Sequence, residues 1–249
     1  MPSLYDLHHK FVFIHVPKNA GSSASTYFVK AALMTREKLS EKEYDGLEKS
    51  PTNNVPKKIQ NAPTPNVVTT LKTLKKKFKA NNKADPDNRY WQKSQARARD
   101  VRDALTAPVY DALNSIAIVR NPWDRLGSFY HFIRRNPENP FHDDAKKMTF
   151  NEYVNWQCNN RPNRQSAWVT DLEGNIIVNN ICRVESMRED MHAVSEKIFG
   201  QTFKLPHRNK TKNQWRDEDF KPSTIDLVRD TYRADFDLLG YPDLPTFQA

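Results

Sequence analysis

One pattern limits what this chain can fold into more than any other, and it occurs twice: a short unbroken apolar run, a polar turn, then an amphipathic segment. The first copy, "KFVFIHVPKNAGSSASTYFVK", runs from Lys10 to Lys30. Residues 11–16 are continuous and rich in Phe, Val and Ile, which predicts a buried strand. From Ser22 to about Leu33, the spacing of Tyr27, Phe28, Ala31 and Ala32 predicts a helix. In the second copy, "NSIAIVRNP" reads as another short buried strand ending near Arg120. Pro122 suits a first helical turn, and Trp123, Leu126, Phe129, Tyr130 and Ile133 then form an apolar stripe.

Further elements follow the same alternation. A helix is expected over Tyr90 to Leu105, and residues 176–184 read as one or two strands around a bend. Ser186 with Glu189 three residues later forms a capping-box pattern for a helix running to Phe199, with Gly200 as its C-cap. A last helix turns Ile225, Val228, Tyr232, Phe236 and Leu239 inward and stops at Gly240. Alternating strands and helices imply an α/β fold with a central, mostly parallel sheet flanked by helices on both faces.

At 249 residues the chain suits one domain, residues 1–249, carrying a lysine-rich insertion or acceptor-shaping region over residues 35–89. Residues 35–66 are polar and contain Pro51, Pro56, Pro63 and Pro65. Val67, Val68, Leu71, Leu74 and Phe78 then oppose Lys72, Lys75, Lys76 and Lys79, the pattern of a basic amphipathic helix. Between Lys49 and Ala84 there are nine lysines and no acidic residue. The net charge of +9 therefore lies wholly in that segment, the rest carrying 30 basic and 30 acidic residues. No window approaches the roughly 18 apolar residues that span a bilayer. No secretion signal is visible, and Cys158 and Cys182 are too few for a disulfide framework or a four-cysteine metal site. A soluble, cytoplasmic protein is the expectation.

A strand that empties into a short loop and a helix start leaves backbone N–H groups unpaired, and such a site attracts anions. In "PKNAGSS", Gly21 would let the chain pass close to a ligand, Ser22 and Ser23 add hydroxyl donors, and Lys18 adds a charge. The plain alternative is a solvated Lys18, a tight turn relieved by Gly21, and a serine that caps the helix. The nucleotide-triphosphatase loop G-x-x-x-x-G-K-[ST] does not match, since here lysine precedes glycine and no Gly-Lys-Ser/Thr occurs in the chain.

"FIHVPKNAGSS" resembles the 5′-phosphosulfate loop of sulfotransferases that use 3′-phosphoadenosine 5′-phosphosulfate (PAPS), in the "F-I-H-V-P-K-T-A-G-T-S" form of the carbohydrate-type members. Asn19 and Ser22 stand where that form usually has threonine. "AIVRNPWDRLGSFYHF" is similar to the family's 3′-phosphate motif, with Arg120 ending a strand and Ser128 eight residues later on the next helix. The alternative for this pair is an Arg120–Asp124 ion pair and an exposed Ser128. "RPNRQSAWVTDLEGNIIVNNICRVESMREDM", "LPHRNKT" and "YRADFDLLGY" also look like stretches of the family.

The resemblance implies a P-loop-like three-layer fold and sulfuryl transfer from PAPS, by in-line displacement, to a hydroxyl or amine of an acceptor expected to be a carbohydrate, leaving 3′-phosphoadenosine 5′-phosphate (PAP). It implies Lys18 as the catalytic residue, with Lys18, Asn19, Ala20, Gly21, Ser22 and Ser23 around the phosphosulfate. Arg120 and Ser128 would take the 3′-phosphate, with Lys210 and Thr211 as further ligands in a closing loop. No metal is expected, because no His/Cys/Asp/Glu cluster has ligand spacing. Gln95 stands where many relatives carry a histidine, and glutamine cannot act as a general base. His15 is expected to be structural, and no base is assigned among it, His131, His207, Glu41 and Glu43. The lysine-rich segment points to an anionic acceptor such as an acidic glycan, and no base-reading motif indicates a specific nucleic acid. Two other readings remain open at this stage. One is a P-loop-like nucleotide-binding enzyme or kinase. The other is a catalytically weak protein of the same fold that binds polyanions through its lysines.

Overall fold

The computed structural model describes residues 4–6, 8–42, 96–205 and 220–245. Its sheet has four strands in the order β1 (Leu4–Asp6), β2 (Phe11–Ile14), β3 (Asn114–Val119) and β4 (Asn180–Arg183). β1 is an antiparallel edge, whereas β2–β3 and β3–β4 are parallel, with Ile14 opposite Ala117 and Val119 opposite Arg183. The carboxyl ends of β2, β3 and β4 therefore share one edge, where open α/β sheets bind ligands.

Alternation along the strands divides the core into two layers. Phe11, Phe13, Ile116, Ile118 and Cys182 face helices α1 (Gly21–Glu37) and, further along the chain, Met187–Phe199. Val12, Ile14, Ala117 and Val119 face the opposite way, onto a cluster that includes Trp123, Tyr153, Val228 and Phe236. With both faces covered, the strands read as unbroken apolar runs rather than alternating ones. The remaining described helices are α2 (Ala98–Leu105), α3 (Ala107–Asp111), α4 (Pro122–Arg135), α5 (His142–Lys147), α6 (Phe150–Asn160) and α7 (Ser166–Val169). Met187–Phe199 is α8, followed by α9 (Pro222–Thr231) and α10 (Arg233–Leu239). The expected three-layer α/β fold with a mostly parallel sheet is the fold observed. Among the described residues, no helix is long and apolar enough to cross a membrane.

Several expectations shift in detail. β2 stops at Ile14 because the Val16 N–H turns back to the Ile14 carbonyl at 3.1 Å. α1 continues a turn past Leu33 to Glu37 because Met34 still reaches the core. Over residues 176–184 only Asn180–Arg183 joins the sheet, and Ile176 bridges back to Thr170 instead. The capping box at Ser186 does not form. The Ser186 hydroxyl donates to Asp190 Oδ2 at 2.8 Å, and that oxygen also accepts the Arg183 N–H at 2.7 Å, which ties α8 to β4. The single C-terminal helix is two helices that meet at buried Tyr232. Gly200 and Gly240 end their helices in the left-handed conformation, as expected. The basic amphipathic stretch over residues 67–79, most of the 35–89 insertion and residues 90–95 of the expected helix lie outside the described residues.

Candidate active site

Two loops leave the same sheet edge, and each begins a helix. In the first, Lys18 (φ 67°) and Ala20 (φ 53°) are both left-handed, a conformation that costs a non-glycine residue about 1–3 kcal/mol. Ala20 is the N-cap of α1 and offers no side-chain bond, so neither Ser22 nor Ser23 caps the helix; both lie within its first turn. The Ser23 and Ala24 N–H groups bond the Ala20 carbonyl, at 2.9 and 3.2 Å. No described residue accepts from the N–H groups of Gly21 or Ser22. A left-handed residue followed by a right-handed one turns successive N–H groups into a shared concavity, a form that binds anions.

What holds this loop lies outside it. Asn19 is 1 % exposed, and its Nδ2 donates to the Ile118 carbonyl at 2.9 Å and to Gln165 Oε1 at 2.6 Å. Its side chain is therefore committed to β3 and does not provide the free donor expected from its place in the motif. Arg125 on α4 is 3 % exposed and donates through Nε to the Pro17 carbonyl at 3.0 Å. Its other nitrogens bond Asn163, the backbone carbonyl at 2.5 Å and Oδ1 at 3.1 Å. With its charge met by neutral oxygens, burial pulls the guanidinium down to about 10, against an opposing influence from Asp235.

Gly21 has a different use from the expected one. A Cβ there would lie 2.4–2.7 Å from three atoms of the His15 ring, so the missing side chain makes room for that imidazole. His15 is 5 % exposed and burial lowers its pKa to about 4, which keeps it neutral and matches a structural residue better than a base.

The second loop follows β3. Arg120 is half-buried, and no described carboxylate lies within ion-pair distance of it. Asp124 is raised by burial, with Arg120 opposing and Glu185 reinforcing that shift, so Arg120 and Asp124 interact through space without forming the ion pair of the alternative reading. α4 begins with Pro122 in its first turn, and the Asn121 side chain accepts from the Trp123 N–H at 3.0 Å. The Asn121 N–H is taken by Glu185 Oε1 at 2.7 Å.

The two loops meet across the top of the sheet. Lys18 is half-buried with a pKa lowered to about 8, first by burial and then by Arg120 and Arg125. Its Nζ lies 3.8 Å from the centroid of the Phe132 ring on α4, a cation–π contact. Arg125 and Phe132 are seven residues apart on one helix face, and both touch the first loop. Half-buried Ser128 stands between them in the helical register of that face. Ser22 is half-buried and Ser23 is 6 % exposed, so Ser22 is the more available hydroxyl.

Lys210, Thr211, His207, Gln95 and Glu43 lie outside the described residues. Glu41 accepts the Lys204 N–H at 3.1 Å and approaches Lys30 Nζ at 3.5 Å. His142 Nδ1 bonds the Ile133 carbonyl at 3.1 Å. Burial, then Arg135 and Arg134, lower the pKa of His131. Among the described residues, no group of three or more His, Cys, Asp or Glu is arranged to hold a metal ion. Sequence reasoning assigned no role to Gln165, Arg125 or Phe132, although all three stand inside the quoted motifs. Their signal was residue type within the motif, and what it lacked was the partner across the fold.

A parallel-sheet edge carrying an open helix start and two neighbouring cations is an arrangement suited to a phosphate-like anion. The model of the sulfotransferase family matches residues 2–242, and the chain belongs to that family. It is a sulfotransferase enzyme. Comparisons with curated proteins and with solved structures gave no match.

Proposed function

We propose that this enzyme transfers the sulfuryl group of PAPS to a hydroxyl or amine of a carbohydrate acceptor, in particular an acidic glycan. One observation carries this reading: Lys18 and Arg120 stand at neighbouring strand ends, near enough that Arg120 lowers the proton affinity of Lys18. Two cations held together in a partly buried place repel each other, and a ligand with two anionic groups offsets that cost. PAPS carries a 5′-phosphosulfate and a 3′-phosphate. The residues present fit them. Lys18, the Gly21 and Ser22 N–H groups and the Ser22 hydroxyl would hold the phosphosulfate, while Arg120, bidentate, and Ser128 would hold the 3′-phosphate.

Bound PAPS supplies a sulfuryl group on a phosphosulfate anhydride. The chain supplies charge and position. Lys18 remains protonated at neutral pH and offsets the negative charge that grows on the phosphate side as the bond to sulfur breaks. Phe132 covers one side of that ammonium and limits its hydration, which strengthens its field. The bonds to Asn19 and to Pro17 keep the loop in its strained shape before any ligand arrives, so little reorganisation is left to the reaction. The nine lysines between residues 49 and 84 support an anionic acceptor.

Calorimetric titration with PAP, against ADP, tests the donor. The wild type is expected to prefer PAP, and Lys18→Ala and Arg120→Ala should each weaken PAP by about thirtyfold or more, the scale of a lost charge-assisted contact. Absence of PAP binding, or equal binding of ADP, overturns the reading. A transfer assay with labelled PAPS over neutral and acidic glycans then tests the acceptor, and equal rates on both kinds would remove the acidic preference.

A further inference from the structure

We propose that Gln165 is the positioning residue that sets the distance between the two anion-binding groups, by joining the Lys18 loop to the end of β3 through one buried side-chain amide. This inference rests on the donor-binding reading above and deepens it.

Gln165 is completely buried at the start of α7. Its Oε1 accepts from Asn19 Nδ2 at 2.6 Å and from the Arg120 N–H at 2.9 Å, and its Nε2 donates to the Arg120 carbonyl at 2.7 Å. β3 ends at Val119, so Arg120 is one residue beyond the sheet's ladder. The glutamine amide, offering one acceptor and one donor side by side, pairs with Arg120 as a residue of a neighbouring strand would. It extends the ladder by one residue and fixes the backbone from which the guanidinium projects. The same oxygen takes the Asn19 amide, next to Lys18 in the chain. One group thus spaces both cations.

The backbone that carries this side chain is held from a third direction. Asp235 on α10, also fully buried, accepts the Gln165 N–H at 2.8 Å and the Ser166 N–H at 2.7 Å. Only one orientation of the glutamine satisfies Arg120, because the N–H needs an oxygen and the carbonyl needs an N–H. Glutamate would set oxygen against the Arg120 carbonyl. An apolar residue would leave the Asn19 donor and both Arg120 backbone groups with one bond fewer each. A site that recognises two anionic groups needs their partners fixed to within about half an ångström, which two independently mobile loops would not provide.

The experiment is calorimetry with PAP and ADP on the folded full chain, for wild type, Gln165→Ala, Arg120→Ala and the double variant, with thermal unfolding monitored alongside. Gln165→Ala is expected to bind PAP at least about tenfold more weakly and to lose most of the preference for PAP over ADP. In the Arg120→Ala background, adding Gln165→Ala should leave the PAP-to-ADP ratio where it was, because the glutamine acts on that ratio through Arg120. A folded Gln165→Ala protein with wild-type affinity and preference overturns the proposal, as does a further loss of preference in the double variant. If Gln165→Ala does not fold, Asn19→Ser decides: it cuts the loop from the amide while leaving the Arg120 pair in place. It should weaken PAP and ADP in equal proportion, and wild-type affinity for both overturns the proposal. A wild type that binds PAP no better than ADP defeats the donor reading itself, an outcome distinct from any that depends on the variants.

Discussion

The two strand–turn–helix units look alike in sequence but finish their helices differently. α1 starts from a left-handed Ala20 with no side-chain cap, and no described residue takes the N–H groups of Gly21 and Ser22. α4 starts with Pro122, which has no N–H, and with an Asn121 cap on Trp123. The Arg120 N–H goes to Gln165 and the Asn121 N–H to Glu185. The first unit therefore offers an anion two successive N–H groups, whereas in the opening turn of the second only the Asp124 N–H has no acceptor among the described residues. On the proposed reading, recognition at the second falls mainly to the side chains of Arg120 and Ser128. A common supersecondary pattern fixes where a ligand can lie, and capping decides whether main chain or side chain meets it.

Altering the backbone-led unit should have the largest effect. Gly21→Ala brings a Cβ within 2.4 Å of the His15 ring, and the overpacking should cost about 1–3 kcal/mol of stability along with much of the PAP affinity. Thermal unfolding and titration of Gly21→Ala check this, and pairing it with His15→Ala should restore part of both by opening the space. If Gly21→Ala is neutral, the first loop tolerates movement and the contrast between the units weakens.

An effect of intermediate size comes from pH. The Lys18 pKa is lowered from 10.5 to about 8 by burial and by neighbouring arginines. Between those values the folded chain binds fewer protons than the unfolded one, so this residue makes stability rise with pH across that window. Anion affinity moves the other way. PAP binding should be flat below about pH 8 and fall by roughly tenfold per pH unit above it, with proton uptake on binding. Titrations in buffers of different ionisation enthalpy measure that uptake, and Lys18→Ala should abolish it. The same slope in Lys18→Ala would assign the titration to another group.

The smallest effect sharpens the comparison from the other side. Asn121→Ala removes the cap of α4 and should cost about 1 kcal/mol of stability, while PAP affinity stays within about twofold of wild type. A large loss of affinity with little loss of stability would mean that the second unit also presents its main chain to the ligand.

Much of this was legible before any coordinates. The unbroken apolar runs at residues 11–14 and 116–119 mark strands covered on both faces, and both helices that follow them are where periodicity put them. Motif order excluded the triphosphatase loop, and the family membership that "VPKNAGSS" and "VRNPWDRLGS" pointed to is the one the family match shows. Local chemistry misled where a longer-range partner was stronger. Ser186 gave up its cap because Asp190 also serves the Arg183 N–H. Asn19 turned inward because the Ile118 carbonyl and Gln165 needed its donors.

By itself, then, the sequence determined the two strand–turn–helix units, the two-sided sheet and the placing of Lys18 and Arg120 in the loops after its strands, because periodicity and turn chemistry are local, whereas the β1 edge and the helices between residues 142 and 169 carried no such signal. Tertiary structure alone decided which groups are committed and which are available. Gln165 meets Asn19 from 146 residues away, and Arg125 reaches Pro17 from 108. Pairings across such distances exist only once β2 and β3 lie side by side, and burial then makes them costly to leave unmade.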